Sequence, residues 1–351
     1  MTGASRVIEI DGSHGEGGGQ LVRMAVALSA ITGTPVRIRN IRARRHPPGL
    51  SAQHLTAIRA VATLSDGQLL GDALRASEIT FFPGDLRAGS FSFDVTTAGS
   101  IALVLQAVLP VAVRAPGPTQ ITVTGGTDVR GAPPIDYLIH VILPWLRRLN
   151  VEADIRVQRR GYYPRGGGLV TVEVTPADCL YPLNLESTGP LLEIFGAIHA
   201  SNLPAHIPQR MATAARDCFP AGTPIHFHTR MLGPGDAVGT GGALVIWART
   251  ESTLLGAATV AQRGIPSEQL GDETGRALAS ELAAGATLDV HAADQLAVYM
   301  ALAEAPSTFW VREVSSHLQT LLWLLNKIRK VESHIAQRGN RYHIEIRASE
   351  V

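Results

Sequence analysis

His317 stands at the head of an apolar stretch, in Val314-Ser315-Ser316-His317-Leu318. If that stretch is helical, the partial positive charge at its N-terminus disfavours imidazolium and keeps the ring neutral. A neutral imidazole can attack phosphorus and form a phosphoramidate. A histidine at a helix start can equally be a cap or core filler, so position alone leaves both readings open. A second segment bears on the choice: Asp11-Gly12-Ser13-His14-Gly15-Glu16-Gly17-Gly18-Gly19-Gln20 runs straight into the apolar run Leu21 to Ile31. Glycines around one carboxylate let backbone approach a ligand closely, and the following helix would aim free N–H groups at it. That geometry suits a phosphate, yet no G-x-x-x-x-G-K-[ST] loop occurs in the chain. Of the 31 basic residues only Lys327 and Lys330 are lysines, leaving 29 arginines. Nucleotide chemistry here would rest on arginine, histidine and a carboxylate.

Further candidates follow the same logic. Glu16 is either a turn carboxylate or a ligand for a hard cation, Mg²⁺ or Mn²⁺, shared with substrate phosphates. Arg23 lies near the helix start, where it could reach the same phosphate. Arg37, Arg39, Arg42, Arg44, Arg45 and His46 run down a strand into a Pro-Pro-Gly turn. The next helix opens with Gln53-His54, so its N-terminus and the arginines could converge on one anion; a solvated edge is the plain alternative. Asp294-Gln295 is read as the start of the helix preceding His317, with Asp294 able to orient the histidine and Gln295 able to hold a phosphate or sugar oxygen. His226 and His228 alternate along a strand without an evident third metal ligand. His140, His199, His334 and His343 read as structural. Tyr162-Tyr163-Pro164-Arg165-Gly166-Gly167-Gly168 joins two strands and either stacks on a base or forms a tight hairpin.

These residues need a scaffold, and the chain supplies a recurring one: small-residue turn, apolar helix, β-branched strand, second turn, second helix. The first copy has helices Leu21 to Ile31 and Gln53 to Leu64 around a strand at Pro35 to Ile41. The second has helices Ile101 to Val113 and Asp136 to Leu149 around Thr119 to Thr124. A third, shorter copy has helices Asp294 to Ala303 and His317 to Lys330 around Thr308 to Val314. The pattern predicts an α/β (α+β) protein whose repeated units bury sheets under helices. From about Ser187 the rhythm breaks into strand Leu191 to His199, helix Gln209 to Cys218, strand Ala243 to Ala248 and helix Glu273 to Ala283, a small α/β domain of its own. The expected organisation is residues 1–186 and 286–351 as a large domain, interrupted by 187–285.

Composition narrows the class. Hydrophobic residues make up 45% and charged residues 17%, which excludes a disordered chain. A net charge of +1 argues against coating nucleic acid non-specifically. Met1 to Ile10 has no apolar signal-peptide core and no stretch approaches a membrane span, so a cytoplasmic protein with no membrane partner is expected. Cys179 and Cys218 form neither a disulfide framework nor a metal knuckle.

Taken together, the segments resemble the RNA 3'-terminal phosphate cyclase family. The resemblance is carried by Asp11-Gly12, Gly15-Glu16-Gly17-Gly18-Gly19-Gln20 and Arg23; by Ile41-Arg42-Ala43-Arg44-Arg45, Pro48-Gly49-Leu50 and Gln53-His54-Leu55; by Thr124-Gly125-Gly126-Thr127-Asp128, Ala132-Pro133-Pro134 and Gly161-Tyr162-Tyr163-Pro164 with Gly166-Gly167-Gly168; and by Asp294-Gln295-Leu296 and Ser316-His317-Leu318. It implies three repeated units interrupted by a thioredoxin-like domain. It also implies an ATP-dependent reaction in which His317 becomes histidyl-AMP, AMP passes to an RNA 3'-phosphate, and the 2'-OH closes a 2',3'-cyclic phosphate.

By the same resemblance Glu16 positions the divalent metal near ATP, and Gln20 is a nucleotide-binding residue. Arg23, Arg42, Arg45, Gln53 and His54 hold phosphates of the nucleotide or the RNA end. Asp294 and Gln295 support His317 and the nucleotide, Gln106 lies near the nucleotide, and adenine rests against Pro133 or Pro134 and near His291. The chain departs from the family pattern at Pro47, where a basic residue is frequent, at His291, where tyrosine is frequent, and at Ser316, where some members have cysteine. A non-catalytic relative without the histidine and an enolpyruvyl transferase of similar units are the competing readings. Nucleic-acid-ligase chemistry is disfavoured because neither lysine lies in a Lys-x-Asp-Gly motif. The insert's role is left open among RNA contact, a homodimer interface and packing.

Overall fold

A computed structural model describes residues 7–348; part of the N-terminal segment read above, residues 1–6, lies outside the described residues. The first stretch of chain gives β1 (Ile8–Asp11), α1 (Gly19–Thr32), β2 (Val36–Arg39), α2 (Ala52–Leu64), β3 (Gln68–Leu70) and β4 (Ile79–Phe82). Its sheet has the order β1-β2-β4-β3, with β1 and β2 parallel and the other pairings antiparallel. The second stretch gives β5 (Gly89–Asp94), α3 (Ile101–Val113), β6 (Thr119–Gly125), α4 (Ile135–Tyr137), a π-helical turn Leu138–Ile142, α5 (Leu143–Arg148), β7 (Glu152–Gly161) and β8 (Gly168–Thr175). Its strands run in the order β5-β6-β8-β7, again with the first pair parallel and the rest antiparallel.

The segment after residue 187 contains β9 (Leu191–Ser201), α6 (His206–Arg216), β10 (Ile225–Leu232), β11 (Ala237–Val238), β12 (Gly241–Thr250), β13 (Leu254–Val260) and α7 (Ser267–Ala284). Four of these strands form a sheet of order β10-β9-β12-β13, while β11 leaves it to pair in parallel with β7. The chain closes with α8 (Val290–Met300), β14 (Ser307–Val311), α9 (Ser316–Arg329), β15 (Glu332–Arg338) and β16 (Arg341–Arg347), the strands in the order β14-β16-β15. No described helix is long and apolar enough to cross a membrane.

Two hydrophobic clusters organise these layers. The larger joins α1, α2, α3, α8 and α9 to their sheets; the smaller, around Ile194, Ile198, Met211, Leu244, Leu255 and Leu278, belongs to the sheet that contains β9 and to its two helices. Helix α1 is buried on nearly every face from Gln20 to Ala30, as a helix apolar all round must be. Polar side chains on such a helix, Gln20 and Arg23, are therefore held where desolvation is costly unless something pairs with them.

The sequence reading places α3 at its observed bounds and most other helices within a few residues. Two boundaries need correction: α7 begins at Ser267, six residues before the Glu273 read from the sequence, and α8 also begins earlier than read. Helix α8 begins at Val290, capped by the Asp289 carboxylate, so Asp294 and Gln295 lie in its interior and do not start it. A helix start rewards a cap that reaches the first N–H groups, and Asp289 accepts from His291 N and Ala292 N at 3.1 and 3.0 Å.

Candidate active site

A cavity of about 600 Å³ opens between the starts of α1, α2, α8 and α9. Helix α9 is capped by Ser315, whose hydroxyl accepts from Leu318 N at 3.0 Å. His317 thus sits in the first turn, with its side chain 45% exposed to the cavity. Its Nδ1 lies 2.9 Å from Gln20 Oε1 and 3.7 Å from Glu16 Oε2. A carbonyl oxygen only accepts, so Nδ1 carries the proton and Nε2 keeps its lone pair. Burial holds the imidazole below its usual pKa, against the opposing pull of Glu16.

The glycine-rich turn packs tightly around Glu16. Gly15 and Gly17 have positive φ, of 57° and 61°. A Cβ on Gly18 would come within 2.2 Å of the Glu16 carboxylate, and one on Gly19 within 1.9 Å of His54 Nε2. Glycine at these two positions is required by close approach. Glu16 N donates to Thr320 Oγ1 at 3.3 Å, tying the turn to helix α9. Arg45 pairs with Glu16 Oε1, while Oε2 is buried without a hydrogen-bond partner. A hard cation shared with phosphate oxygens fits that orphaned oxygen. Among the described residues no group of three His, Cys, Asp or Glu could hold a metal by itself. Gly18, the N-cap of α1, offers no side-chain cap to the first N–H groups of that helix.

Arg23 is 3% exposed and donates to Gln106 Oε1 at 2.9 Å, and its Nε is buried without a partner. Desolvation lowers its pKa to about 10, which leaves it cationic at neutral pH. A buried cation with an unspent donor, beside uncapped helix N–H groups, is an anion site. His54 is the N3 residue of a capping box with Ser51, whose hydroxyl lies 2.9 Å from Nδ1. Burial first, and then Arg23 and Arg42, push its pKa down to about 3, so it presents a neutral ring and not a cation to the cavity. Arg42, at φ 50°, donates to the carbonyls of Pro47 and Gly49 at 3.1 and 2.7 Å, fixing the turn that carries Arg45. Gln53 Oε1 accepts from Ser100 N at 3.0 Å and so joins α2 to the start of α3.

The same cavity is also lined by Pro133, Pro134, His291, Asp294 and Gln295. Burial and Asp289 push the Asp294 carboxyl well up, against Arg23. Gln295 donates to His291 O at 3.2 Å. Every residue that the family resemblance assigns to the nucleotide, the metal or the RNA phosphates lines this one cavity, as does His317. The sequence reading missed Leu103, Arg130, Tyr137 and the β13 run Ala258, Thr259 and Val260 with Gln262, which complete the wall. Nothing in the sequence of β13 marks it, because its contribution arises only from long-range packing.

Other candidates resolve elsewhere. Arg37 and Arg39 pair with Glu9 and Glu78 on the outside of the first sheet. Tyr163 is 78% exposed at the β7–β8 hairpin, whereas Tyr162 is buried against His199. His199 belongs to a buried network: its Nδ1 is 3.1 Å from Asp136 Oδ2 and its Nε2 3.3 Å from Asp128 Oδ2, while Arg160 reaches both carboxylates at 3.2 and 2.6 Å. Both cysteines are free.

Comparison with known proteins bears on the chain as a whole. A sequence model of the RNA 3'-terminal phosphate cyclase family matches residues 14–335. An RNA 3'-terminal phosphate cyclase of Nitrosospira multiformis is 49% identical over 95% of this chain and 94% of its own. One from Pyrobaculum neutrophilum is 41% identical over 97% and 98%, and one from Methanopyrus kandleri 41% over 97% and 99%. Among solved structures, the enolpyruvyl transferase NikO of Streptomyces tendae aligns at 13% identity with a TM-score of 0.27, over 97% of this chain and 82% of that one, too low to bear on the fold.

Proposed function

The chain belongs to the RNA 3'-terminal phosphate cyclase family, and we propose that it converts an RNA 3'-phosphate to a 2',3'-cyclic phosphate at the expense of ATP through histidyl-AMP at His317. The carrying observation is the Gln20–His317 contact, which supports an unprotonated Nε2 in the cavity that Arg23 and the start of α1 also line. In the first step Nε2 attacks the α-phosphorus, a P–N bond forms, and pyrophosphate leaves. The imidazolium character that develops is offset by Glu16, 3.7 Å from Nδ1. In the second, an oxygen of the RNA 3'-phosphate attacks the same phosphorus, the P–N bond breaks, and His317 is restored. In the third, the 2'-OH loses its proton as it attacks the RNA phosphorus, and AMP departs. Adenylylation supplies the leaving group that a terminal phosphate lacks, and the vicinal hydroxyl gains a large proximity advantage. The need for a 2'-OH selects RNA over DNA.

Glu16 would hold Mg²⁺ or Mn²⁺, which would neutralise charge on the departing pyrophosphate. Arg42, Arg45, Gln53 and His54 are assigned to the RNA or nucleotide phosphates, and Gln106, Pro133, His291, Asp294 and Gln295 to the nucleotide. The matching orders of the first two sheets, and the same order lacking one strand in the third, support reading three copies of one unit. The separate small core supports reading 187–285 as a thioredoxin-like insert. A cytoplasmic setting, where ATP is abundant, belongs to the same reading. The test is incubation with α-phosphate-labelled ATP and a divalent metal, followed by a denaturing gel. An acid-labile, alkali-stable labelled band, absent in His317→Ala, is expected; no band from folded wild-type protein would turn the assignment toward a non-catalytic RNA-binding relative.

A further inference from the structure

Asp289 makes more contacts than a helix cap requires. Its Oδ1 accepts from His291 N and Ala292 N, at 3.1 and 3.0 Å, and also from Tyr137 Oη at 2.5 Å. Its Oδ2 accepts from Gly256 N at 2.9 Å. The carboxylate is 1% exposed, so these four donors saturate it away from water. The partners come from three distant parts of the chain, and each belongs to a different wall of the one cavity. Tyr137 lines it directly, next to Pro133 and Pro134. Gly256 lies on β13 just before the lining residues Ala258, Thr259 and Val260. Helix α8 presents His291, Asp294 and Gln295. Gly256 also sits so close to the Tyr137 ring that a Cβ there would meet Cε2 at 2.9 Å. The strand and the ring are therefore packed directly against each other.

We propose that Asp289 is a positioning residue for the nucleotide: one buried carboxylate sets the spacing of the three walls that receive the base and ribose, and so preorganises the cavity for ATP before any chemistry. This rests on the reading of the cavity as the ATP site. A preorganised site binds more tightly because the ordering of its walls is not charged to the ligand. The lever is on binding, since Asp289 is kept from the cavity by its own partners.

The chemistry of the side chain separates this role from capping. Asparagine is as good an N-cap as aspartate. With its single carbonyl oxygen facing the helix and Tyr137, however, its amide would face the Gly256 N–H, donor against donor. Serine would keep the cap and lose both bridges. In single-turnover self-adenylylation of the full chain with labelled ATP, Asp289→Asn should raise the half-saturating ATP concentration roughly ten-fold, the effect of one opposed buried hydrogen bond, and Asp289→Ser, which loses both bridges, by at least as much. The maximal rate constant should stay within about three-fold, because Nε2 of His317 is untouched. Tyr137→Phe should give a smaller shift in the same direction and add nothing in the Asp289→Ser background. An unchanged half-saturating concentration in the folded variants, or a loss confined to the maximal rate, overturns the proposal. If Asp289 variants do not fold, Tyr137→Phe alone decides: no shift in half-saturation rejects the link. Failure of the wild-type chain to bind or react with ATP would instead reject the nucleotide site itself, and this role with it.

Discussion

At the scale of single residues, the decisive arrangement is the His317 ring between Gln20 and Glu16. A histidine acting as nucleophile must be neutral, and burial lowers its pKa from 6.5. The sign follows directly: the reactive form persists as pH falls through 6.5 and is lost only below it. The adenylylation rate at saturating ATP should therefore be flat from pH 8 to about 6.5 and fall on the acid side of that value. An acid limb centred above 7 would contradict a neutral, desolvated ring. Arg23 complements this chemistry, because a cation 3% exposed with an unpaired Nε is a cost to the empty fold that an anionic substrate removes.

At the scale of elements, the glycine-rich turn is a fitted part whose glycines are not equivalent. Gly18→Ala would drive a Cβ into the Glu16 carboxylate, 2.2 Å away, and Glu16 must swing out. Adenylylation should fall by about ten-fold or more, with stability changed by less than about 1 kcal/mol because a flexible side chain gives way. Gly33→Ala, at φ 66° in open space at the end of α1, should do the reverse: about 1 kcal/mol of stability lost to the left-handed backbone and adenylylation intact. Equal activities in the two variants would remove the special role of Gly18. The turn and its helix were legible in the sequence because glycine spacing and an apolar run are local signals, and so was α9 behind Ser315. The start of α8 was not: Asp294-Gln295 looks like a polar cap, whereas Asp289 holds that place and Asp294 is buried beside Arg23. Local pattern cannot tell a cap from a carboxyl kept inside for the cavity.

At the scale of the whole molecule, segment 187–285 is joined to the rest through charge as well as apolar contact. Arg160, 13% exposed, bridges Asp128 and Asp136, and His199 of β9 contacts both carboxylates. Removing one partner strands buried charge, so Arg160→Leu should cost about 3–5 kcal/mol in denaturant unfolding; a loss under about 1 kcal/mol would mark the network as incidental. The pH signs differ among its members. Despite the opposing effect of burial, Asp128 and its neighbour raise the His199 pKa, so its contribution is full below about 6.5 and lost as pH rises through the folded value. Asp136 is lowered, burial being outweighed by His199 and Arg160, so its contribution is full above about 3.9 and lost as pH falls. Wild-type stability should then peak between about pH 4 and 6.5, a dome whose acid limb flattens in Arg160→Leu while the His199 limb persists, because Arg160 lowers the Asp136 pKa and opposes the rise at His199. None of this coupling could be read from the chain, where Asp128, Arg160 and His199 are simply scattered polar residues. The two-residue strand Ala237–Val238 extends the point, since it lies along the outer flank of β7. A truncated protein with a short linker in place of 187–285 would bare that flank as an unprotected pairing template, and it should self-associate into aggregates instead of yielding a minimal catalyst.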